Sequence, residues 1–285
     1  MRYPKDVEIW EHAPGRKLVE VVIQVKNTME AMAECSRAVS EMGVNMLTGF
    51  QTAPGTSPVA RWSFFADITD SKVGLSEFGD SLRRLDSIKS VDVVASDGGL
   101  MVDRQHFPVQ WAGRRALILR AEAMNEMLYR LWSVFGSGAG TIIDQMAEAM
   151  GRHSAKEVVE DFGPEFAIGH VDELLGSYTA LGYGEASIER NKSSQFPVVV
   201  HTRALFECEA NAKRKLHQRS VFFKAHLRGF ISGIFERPFE VKEVQCLTQG
   251  DEVCSFQIAM MEAPVPGLPA RASTKNSKAF PKSSF

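Results

Sequence analysis

The first hundred residues alternate between the hydrophobic period of a strand and that of a helix. Apolar side chains recur at about every second position in residues 17–26, and at helical spacing in residues 29–42. The first spacing is typical of a half-buried strand and the second of an amphipathic helix. The other elements predicted here are, in order, a strand at 44–52, a strand at 59–69, a helix at 73–85 and a strand at 88–95. The order βαββαβ predicts a ferredoxin-like α+β sandwich, with two helices on one four-stranded sheet.

Helical spacing dominates the next part of the chain. After a short predicted strand at 115–120, a stripe of methionine, leucine and aromatic residues predicts a helix that ends near Phe135. Further predicted elements are helices at 141–150, 154–162 and 170–181, strands at 185–190 and 196–206, and a helix at 221–235. Two final strands flank Thr248-Gln-Gly-Asp251, which predicts a hairpin with a three-residue loop at 249–251. We therefore expect a second α+β domain of helices and an antiparallel sheet.

The segment Ser96-Asp-Gly-Gly99 interrupts both hydrophobic patterns and predicts a domain boundary. We assign residues 1–96 to the first domain, 97–114 to a linker and 115–262 to the second domain. Residues 263–285 contain proline, serine, alanine and lysine and too few apolar side chains to form a core. They predict a disordered tail.

Composition and charge exclude several classes of protein. The chain has 33 basic and 35 acidic residues, so its net charge of −2 gives no field that would attract nucleic acid. No apolar run reaches the roughly 18 to 20 residues that a membrane-spanning helix needs, and the first residues do not resemble a signal peptide. Four cysteines in 285 residues do not form a disulfide framework. A cytoplasmic location is expected.

Three motifs in the second domain carry a family resemblance. They are Gly229-Phe230, Glu243-Val-Gln-Cys246 and Gly250-Asp-Glu-Val-Cys254-Ser-Phe256. In this order they resemble the 4-vinyl-reductase (4VR) domain, over residues 115–259. The resemblance implies a sensor domain that binds a small molecule and, in some members, zinc. It also implies a fold similar to haem-nitric-oxide sensors and to a class of vesicle-tethering subunits.

The first domain is similar to the ACT domain. Gly43-Val-Asn45, directly after the first predicted helix, resembles the pattern of that family of regulatory modules, which commonly pair and bind amino acids at the interface. Where the family often has an acidic residue followed by Pro-Gly, this chain has Lys26-Asn-Thr-Met29, without a glycine that lets a ligand approach the backbone. We therefore predict a homodimerisation module without a ligand, and amino-acid binding is the alternative.

Glu243, Cys246 and Cys254 lie at the predicted hairpin. A three-residue loop would place Cys246 directly opposite Cys254, on one face of the sheet. Two thiolates that close suit Zn²⁺, which takes four nitrogen, sulfur or oxygen ligands. Glu243 is three residues from Cys246 and would face the other way in a regular strand, so its participation predicts a β-bulge.

The 4VR resemblance implies the fourth ligand of such a zinc site. In zinc-holding members it is a cysteine at the start of the preceding helix, where this chain has Ser220. The available substitutes are Cys208, His217 and His226. We predict that Zn²⁺, where bound, is held by Glu243, Cys246 and Cys254. The alternative is that the cysteines are buried free thiols that pack as small hydrophobic side chains.

The second domain carries more large apolar side chains than its helices need for one buried face each. In the helix at 221–235 the phenylalanine rings point in several directions, so either another helix or a bound ligand must cover the second face. The residues predicted to line a ligand cavity are Met127, Leu131, Trp132, Phe135, Tyr178, His201, Phe206, Phe222, Phe223 and His226. Apolar cavities with a few orienting polar groups bind small molecules. An ordinary hydrophobic core is the alternative for each of these residues.

The chain has no recognisable catalytic motif. It lacks Gly-x-Ser-x-Gly and His-Glu-x-x-His, and no nicotinamide or flavin fingerprint is present. The predicted function is a non-enzymatic, ligand-responsive regulator that binds a small hydrophobic or aromatic molecule and passes its output to a partner protein. Two alternatives stay open: a structural adaptor with a lipid- or acyl-binding cavity, and an accessory subunit of a tetrapyrrole or aromatic-compound enzyme.

Overall fold

The computed structural model describes residues 3–53, 57–96, 98–190 and 199–261. They form two compact units, Met1–Leu117 and Ile118–Phe285. The predicted tail at 263–285 lies outside the described residues. Within the described ranges, no helix combines the length and the apolar character that crossing a membrane requires.

The first unit is built on one antiparallel four-stranded sheet. Its elements are β1 Trp10–His12, β2 Leu18–Lys26, α1 Met29–Glu41, β3 Asn45–Thr52, β4 Val59–Asp67, α2 Leu75–Arg83, β5 Ile88–Ala95, β6 Leu100–Val102, β7 Gln110–Trp111 and β8 Arg114–Arg115. The strand order is β3-β4-β2-β5, and each neighbouring pair is antiparallel. This topology confirms the predicted ferredoxin-like sandwich.

Alternation along β2 places two different environments on the two faces of this sheet. Val19, Val21, Ile23 and Val25 are buried in the same apolar cluster as residues of α1 and α2. Leu18 and Glu20 alternate with them and are also buried, so the opposite face of the sheet is covered as well.

The cover on that opposite face comes from residues that were predicted to be a linker. β6 pairs with β1, and Met101 packs with Leu18 and Phe65 in a small apolar cluster. The division of the chain therefore falls at Leu117, so the described residues 98–114 lie within the first unit. The strand predicted at 115–120 is wrong beyond Arg115, because β8 ends there after pairing with β7.

The second unit places helices against a second antiparallel sheet. Its elements are α3 Ala121–Phe135, α4 Gly138–Phe162, α5 Pro164–Gly169, α6 Val171–Ala180, β9 Glu185–Glu189, β10 Val199–Arg203, α7 Phe206–Lys213, α8 Phe222–Ile234, β11 Phe239–Gln245 and β12 Cys254–Met260. A single 3₁₀ turn, Leu247–Gln249, lies between the last two strands. The strand order is β11-β12-β10-β9, which confirms the predicted combination of helices and antiparallel sheet.

α4 and α8 lie with their backbones in close contact. A Cβ atom added at Gly151 would lie 2.0 Å from the carbonyl oxygen of His226, and one at Gly229 would lie 2.2 Å from that of Glu148. At the edge of this contact Arg228 forms ion pairs with Asp144, at 2.7 Å, and with Glu148, at 2.6 Å. Thus another helix, α4, packs against α8. The two helices predicted at 141–150 and 154–162 are one continuous helix, because Gly151 serves this approach rather than a break.

Candidate functional site

Four metal-ligating side chains of the second unit converge at one end of its sheet. Cys208 lies on α7, Glu243 on β11, Cys246 at the end of that strand and Cys254 at the start of β12. One ligand atom from each lies within 4.8 Å of all the others. The Sγ atoms of Cys208 and Cys246 are 3.7 Å apart, and Cys208 Sγ is 4.0 Å from Glu243 Oε1. We call these four residues the cysteine cluster.

The local backbone explains how Glu243 joins the cysteines. The pairing of β11 with β12 shifts register between Glu243 and Gln245, which is the bulge that the spacing predicted. The three-residue loop was wrong, since β11 ends at Gln245 and β12 begins only at Cys254. Gly250, with φ of 99°, ends the intervening 3₁₀ turn in a conformation that glycine favours.

Ser220 does not take the place of the implied fourth ligand. Its hydroxyl donates to Glu207 Oε2 at 2.7 Å, inside the core. The two carboxylate oxygens of Glu207 also accept the backbone N–H groups of Val221, Phe222 and Phe223 at 2.9–3.2 Å. Glu207 thus caps the N-terminus of α8. Burial raises the pKa of this carboxyl group, and the four donors oppose that rise.

A second layer of hydrogen bonds surrounds the cysteine cluster. Ser220 N donates to Glu243 Oε2 at 3.0 Å, and Leu247 N donates to Cys254 Sγ at 3.4 Å. Thr248 Oγ1 lies 3.1 Å from Cys246 Sγ. Donors of this kind stabilise negative charge on metal ligands and orient them.

The groups of the cluster strongly shift one another's proton affinity. Burial, together with the neighbouring Cys246, raises the pKa of Glu243 to about 9. Hydrogen bonds from Cys208 and Cys254 lower the pKa of Cys246. One buried thiolate is therefore favoured by its neighbours, and further negative charge needs a cation.

A group of six rings fills the space between α6, α7 and α8. It consists of Tyr178, Tyr183, Phe206, Phe222, Phe223 and His226, which we call the aromatic cluster. The ring centroids of neighbours lie 5.0–6.3 Å apart, mostly in edge-to-face arrangements. Within it, the hydroxyl of Tyr178 and Nδ1 of His226 lie 2.9 Å apart, and both side chains are buried.

Burial shifts the proton affinity of both members of this pair. It raises the pKa of Tyr178 well above its usual range and lowers that of His226 to about 4. Both groups are therefore neutral at pH 7, and they share one hydrogen bond in an apolar environment.

The structure brings together only part of the predicted cavity lining. Tyr178, Phe206, Phe222, Phe223 and His226 are buried in the core of the second unit, and Leu131 and Trp132 pack against its edge. The expectation fails for the other three residues, Met127, Phe135 and His201. Met127 and Phe135 are 54% and 55% exposed, because they lie on the outer side of α3.

His201 faces away from the core because it alternates with the buried Val200 and Thr202 along β10. Its Nδ1 lies 2.9 Å from Ser255 Oγ on the outer face of the sheet. The predicted cavity is occupied by the rings themselves. The two surface cavities found among the described residues, each of about 380 Å³, lie near Leu18 in the first unit and near Pro238 in the second.

Sequence reasoning missed Tyr183 in the aromatic cluster and gave Cys208 only as one of three substitute ligands. Tyr183 lies between two glycines after α6, and that context indicated only the end of a helix. Cys208 was expected at the end of a strand, whereas it lies on α7. β10 ends at Arg203 because Ala204 adopts a positive φ of 50°, and Phe206 N then bonds to the carbonyl oxygen of Tyr183. The pair Glu207-Cys208 was the available signal, since adjacent buried residues of these types need partners.

Comparison with known proteins identifies the second unit. Residues 199–260 match the family model of the vinyl-4-reductase (4VR) domain, which confirms the predicted 4VR-type domain there. All four residues of the cysteine cluster lie in this segment. The uncharacterized protein MJ1460 of Methanocaldococcus jannaschii is 26% identical over 126 residues, which are 44% of this chain and 76% of that protein.

Two solved structures resemble parts of the chain. The phenol-responsive sensory domain of the transcription activator PoxR, with phenol, is 15% identical, has a TM-score of 0.42 and covers 52% of this chain and 78% of that one. The ACT domain of the GTP pyrophosphokinase of Chlorobium tepidum is 15% identical, has a TM-score of 0.24 and covers 28% of this chain and 99% of that domain.

Proposed function

We propose that this chain is a ligand-responsive regulatory protein, without catalytic activity of its own, whose second unit binds a small hydrophobic or aromatic molecule at the aromatic cluster. The observation that carries the proposal is the hydrogen-bonded pair of Tyr178 and His226 inside that cluster. Ligand sites of this class are apolar and contain a few polar groups that orient the ligand.

A tyrosine and a histidine are a costly choice for packing alone. Each polar group loses hydrogen bonds to water on burial, and the single bond between them recovers only part of that loss. Two phenylalanines at these positions would fill similar space without the cost. The pair therefore favours a binding role, in which a hydroxyl or amine of the ligand takes one of its hydrogen bonds.

Binding at this cluster has a structural route to a response. The rings lie on α6, α7 and α8, so a ligand enters only if these helices move or rings rotate. Such a rearrangement is a two-state element of the kind that regulation requires. We propose that a partner protein reads this change.

Native mass spectrometry of the purified chain tests the ligand class. A bound aromatic or small apolar mass supports the proposal, whereas an acyl mass would support the adaptor alternative. Binding of 2-naphthol, followed by its fluorescence, then tests the place. The Tyr178→Phe variant should bind about fivefold more weakly, as expected for one lost hydrogen bond of about 1 kcal/mol.

A matched control is the Tyr129→Phe variant, because Tyr129 is 41% exposed on α3. It should bind the probe as the unaltered chain does. Equal binding by both variants, or no saturable binding by the unaltered chain, would refute the assigned site.

We propose further that the cysteine cluster holds a structural Zn²⁺ through Cys208, Cys246, Cys254 and Glu243. A tetrahedral zinc ion with sulfur ligands at about 2.3 Å places two sulfurs about 3.8 Å apart. The observed separation of 3.7 Å between Cys208 and Cys246 fits that value. With four protein ligands the site is closed, so the ion would stabilise the junction of α7, β11 and β12 rather than activate a substrate.

Metal analysis of protein made in zinc-supplemented medium tests this site. About one zinc per chain is expected, and the Cys208→Ser variant should lose most of it because one of three thiolates is removed. Cys35→Ser is the matched control, since Cys35 is a buried thiol of the first unit outside the cluster. Equal zinc content in the Cys208→Ser variant and the unaltered chain would contradict the proposal.

A further inference from the structure

The first unit contains a second group of metal-ligating side chains, on the face of its sheet opposite to α1 and α2. Glu20 on β2 lies under the loop that carries Asp103 and His106. One ligand atom from each lies within 4.8 Å of the other two. We call these three residues the carboxylate cluster.

Glu20 is the unusual member of this cluster. The residue is 1% exposed, and its Oε2 accepts the backbone N–H of Arg104 at 3.0 Å. Its Oε1 is buried and accepts no hydrogen bond. A buried carboxylate oxygen without a donor is costly, and a proton or a cation placed beside it removes the cost.

The loop over Glu20 is built so that its ligand atoms are held in place. Asp103 Oδ1 accepts the backbone N–H groups of Gln105 and His106, at 3.1 and 3.0 Å. The side chain of Gln105 donates to the carbonyl oxygen of Glu20 at 3.3 Å, and the ring of His106 stacks on Phe50 with centroids 5.1 Å apart. The loop is therefore fixed to the sheet by contacts other than those among the three side chains.

The imidazole of His106 directs one nitrogen at both carboxylates. Nδ1 lies 3.3 Å from Glu20 Oε1 and 2.9 Å from Asp103 Oδ1, while Nε2 lies 2.9 Å from Ser63 Oγ. When Nε2–H donates to Ser63, Nδ1 carries a lone pair that points at the same place as two carboxylate oxygens. Three electron-pair donors then converge on one point, as the ligands of a metal ion do.

We propose that Glu20, Asp103 and His106 form a binding site for a divalent first-row transition-metal cation in the first unit. One nitrogen and two carboxylate oxygens form a mixed ligand set that Mn²⁺ and Zn²⁺ accept. Asp103 and His106 are 20% and 17% exposed, so water can reach the remaining coordination positions. The site is independent of the cysteine cluster and of ligand binding at the aromatic cluster.

Mn²⁺ is the probe that separates this site from the cysteines, because thiolates prefer Zn²⁺ and carboxylates accept Mn²⁺. The full chain is saturated with Zn²⁺, freed of excess and titrated with Mn²⁺, and the free ion is measured by electron paramagnetic resonance. We expect about one Mn²⁺ bound per chain, and at least about tenfold weaker binding by the Glu20→Gln variant. Since both proteins keep all four cysteines, failure of the zinc proposal would not change this comparison.

Two further variants complete the test. Asp103→Asn changes a loop residue rather than the sheet, so it tests the same site if Glu20→Gln fails to fold, and it should also weaken binding. Asp70→Asn is the control, because that carboxylate is 77% exposed and pairs with Arg16. Absence of saturable Mn²⁺ binding, or equal affinity in the Glu20→Gln, Asp103→Asn and unaltered proteins, would overturn the proposal and indicate that Glu20 is neutralised by a proton.

Discussion

His226 is a neutral base in an interior that does not tolerate its charge. Burial lowers its pKa from 6.5 to about 4, while the hydrogen bond to Tyr178 keeps the ring in one orientation. In the unfolded chain the same ring takes up a proton near pH 6.5. Between these two values the unfolded state binds more protons than the folded state, so the free energy of unfolding must fall as the pH falls.

We predict a specific loss of stability in acid from this one residue. A pKa difference from 6.5 to about 4 corresponds to roughly 3 kcal/mol, lost progressively between those pH values and absent above pH 6.5. Urea unfolding at several pH values, monitored by the near-ultraviolet signal of the aromatic rings, would measure it. The His226→Gln variant should lose this part of the pH dependence.

The comparison needs a histidine whose environment is open. His153 lies on α4 with 70% of its side chain exposed, so the His153→Gln variant should keep the pH dependence of the unaltered chain. If the two histidine variants respond alike to acid, the burial of His226 does not control this transition.

At the level of residues, the sequence identified ligand types better than ligand partners. Glu243, Cys246 and Cys254 were predicted from a motif and lie together, because near neighbours in a hairpin stay near in space. Cys208 is 35 residues before Glu243, and its position depends on α7, whose eight residues show little amphipathic pattern. The role of Ser220 was equally hidden, since nothing in the sequence pairs it with Glu207.

At the level of elements, three glycines decide how α8 packs. Gly151 on α4 and Gly229 and Gly233 on α8 remove side chains where the two helices approach. The sequence showed Gly229 and Gly233 four residues apart, which indicated a close approach to another backbone. It did not show the partner, and the sheet that we expected there is in fact helix α4 on that side.

We predict that an added methyl group at this contact destabilises the second unit. In the Gly229→Ala variant the new Cβ would lie 2.2 Å from the carbonyl oxygen of Glu148, so the helices must separate. Overpacking of this kind costs about 1–3 kcal/mol, against a gain of up to about 1 kcal/mol in helix propensity. Thermal unfolding followed by circular dichroism measures the balance.

Gly176 provides the matched control for this substitution. It lies within α6, and a Cβ added there meets no atom within 4 Å. Gly176→Ala should therefore leave the melting temperature unchanged or raise it, because only helix propensity changes. A drop of similar size in both variants would mean that the α4–α8 contact is not the cause.

At the level of the whole molecule, periodicity predicted both α+β units but placed their division too early. Ser96-Asp-Gly-Gly99 looked like a linker because it breaks the hydrophobic pattern. The residues after it return to the sheet of the first unit through β6 and the loop at 103–106. Such a return depends on pairing with β1, whose three residues are too short to carry a pattern of their own.

We propose that the chain forms a homodimer through the first unit. β3 is an edge strand of the sheet, and it exposes Met46, Leu47 and Phe50 by 46%, 37% and 51%. Edge strands with apolar side chains are commonly covered by another chain. Light scattering should give a mass of about twice 31.6 kDa at micromolar concentration, and Met46→Lys should shift the protein towards the monomer.

Met127→Lys serves as the control for that experiment. Met127 is 54% exposed on α3 of the second unit, so the same change of charge there should leave the dimer intact. A single species of 31.6 kDa in the unaltered protein would contradict the homodimer.

The cap of α8 has a mechanical consequence. Glu207, which holds the first amide groups of that helix, is followed directly by Cys208, whose sulfur lies in the cysteine cluster. Two anchors are thus joined by a single peptide with a fixed span of about 3.8 Å. A shift of the start of α8 pulls on Glu207, and the rigid link passes that displacement to a sulfur atom. Movement of the aromatic helix and the integrity of the cysteine cluster therefore share one lever, and neither can change alone.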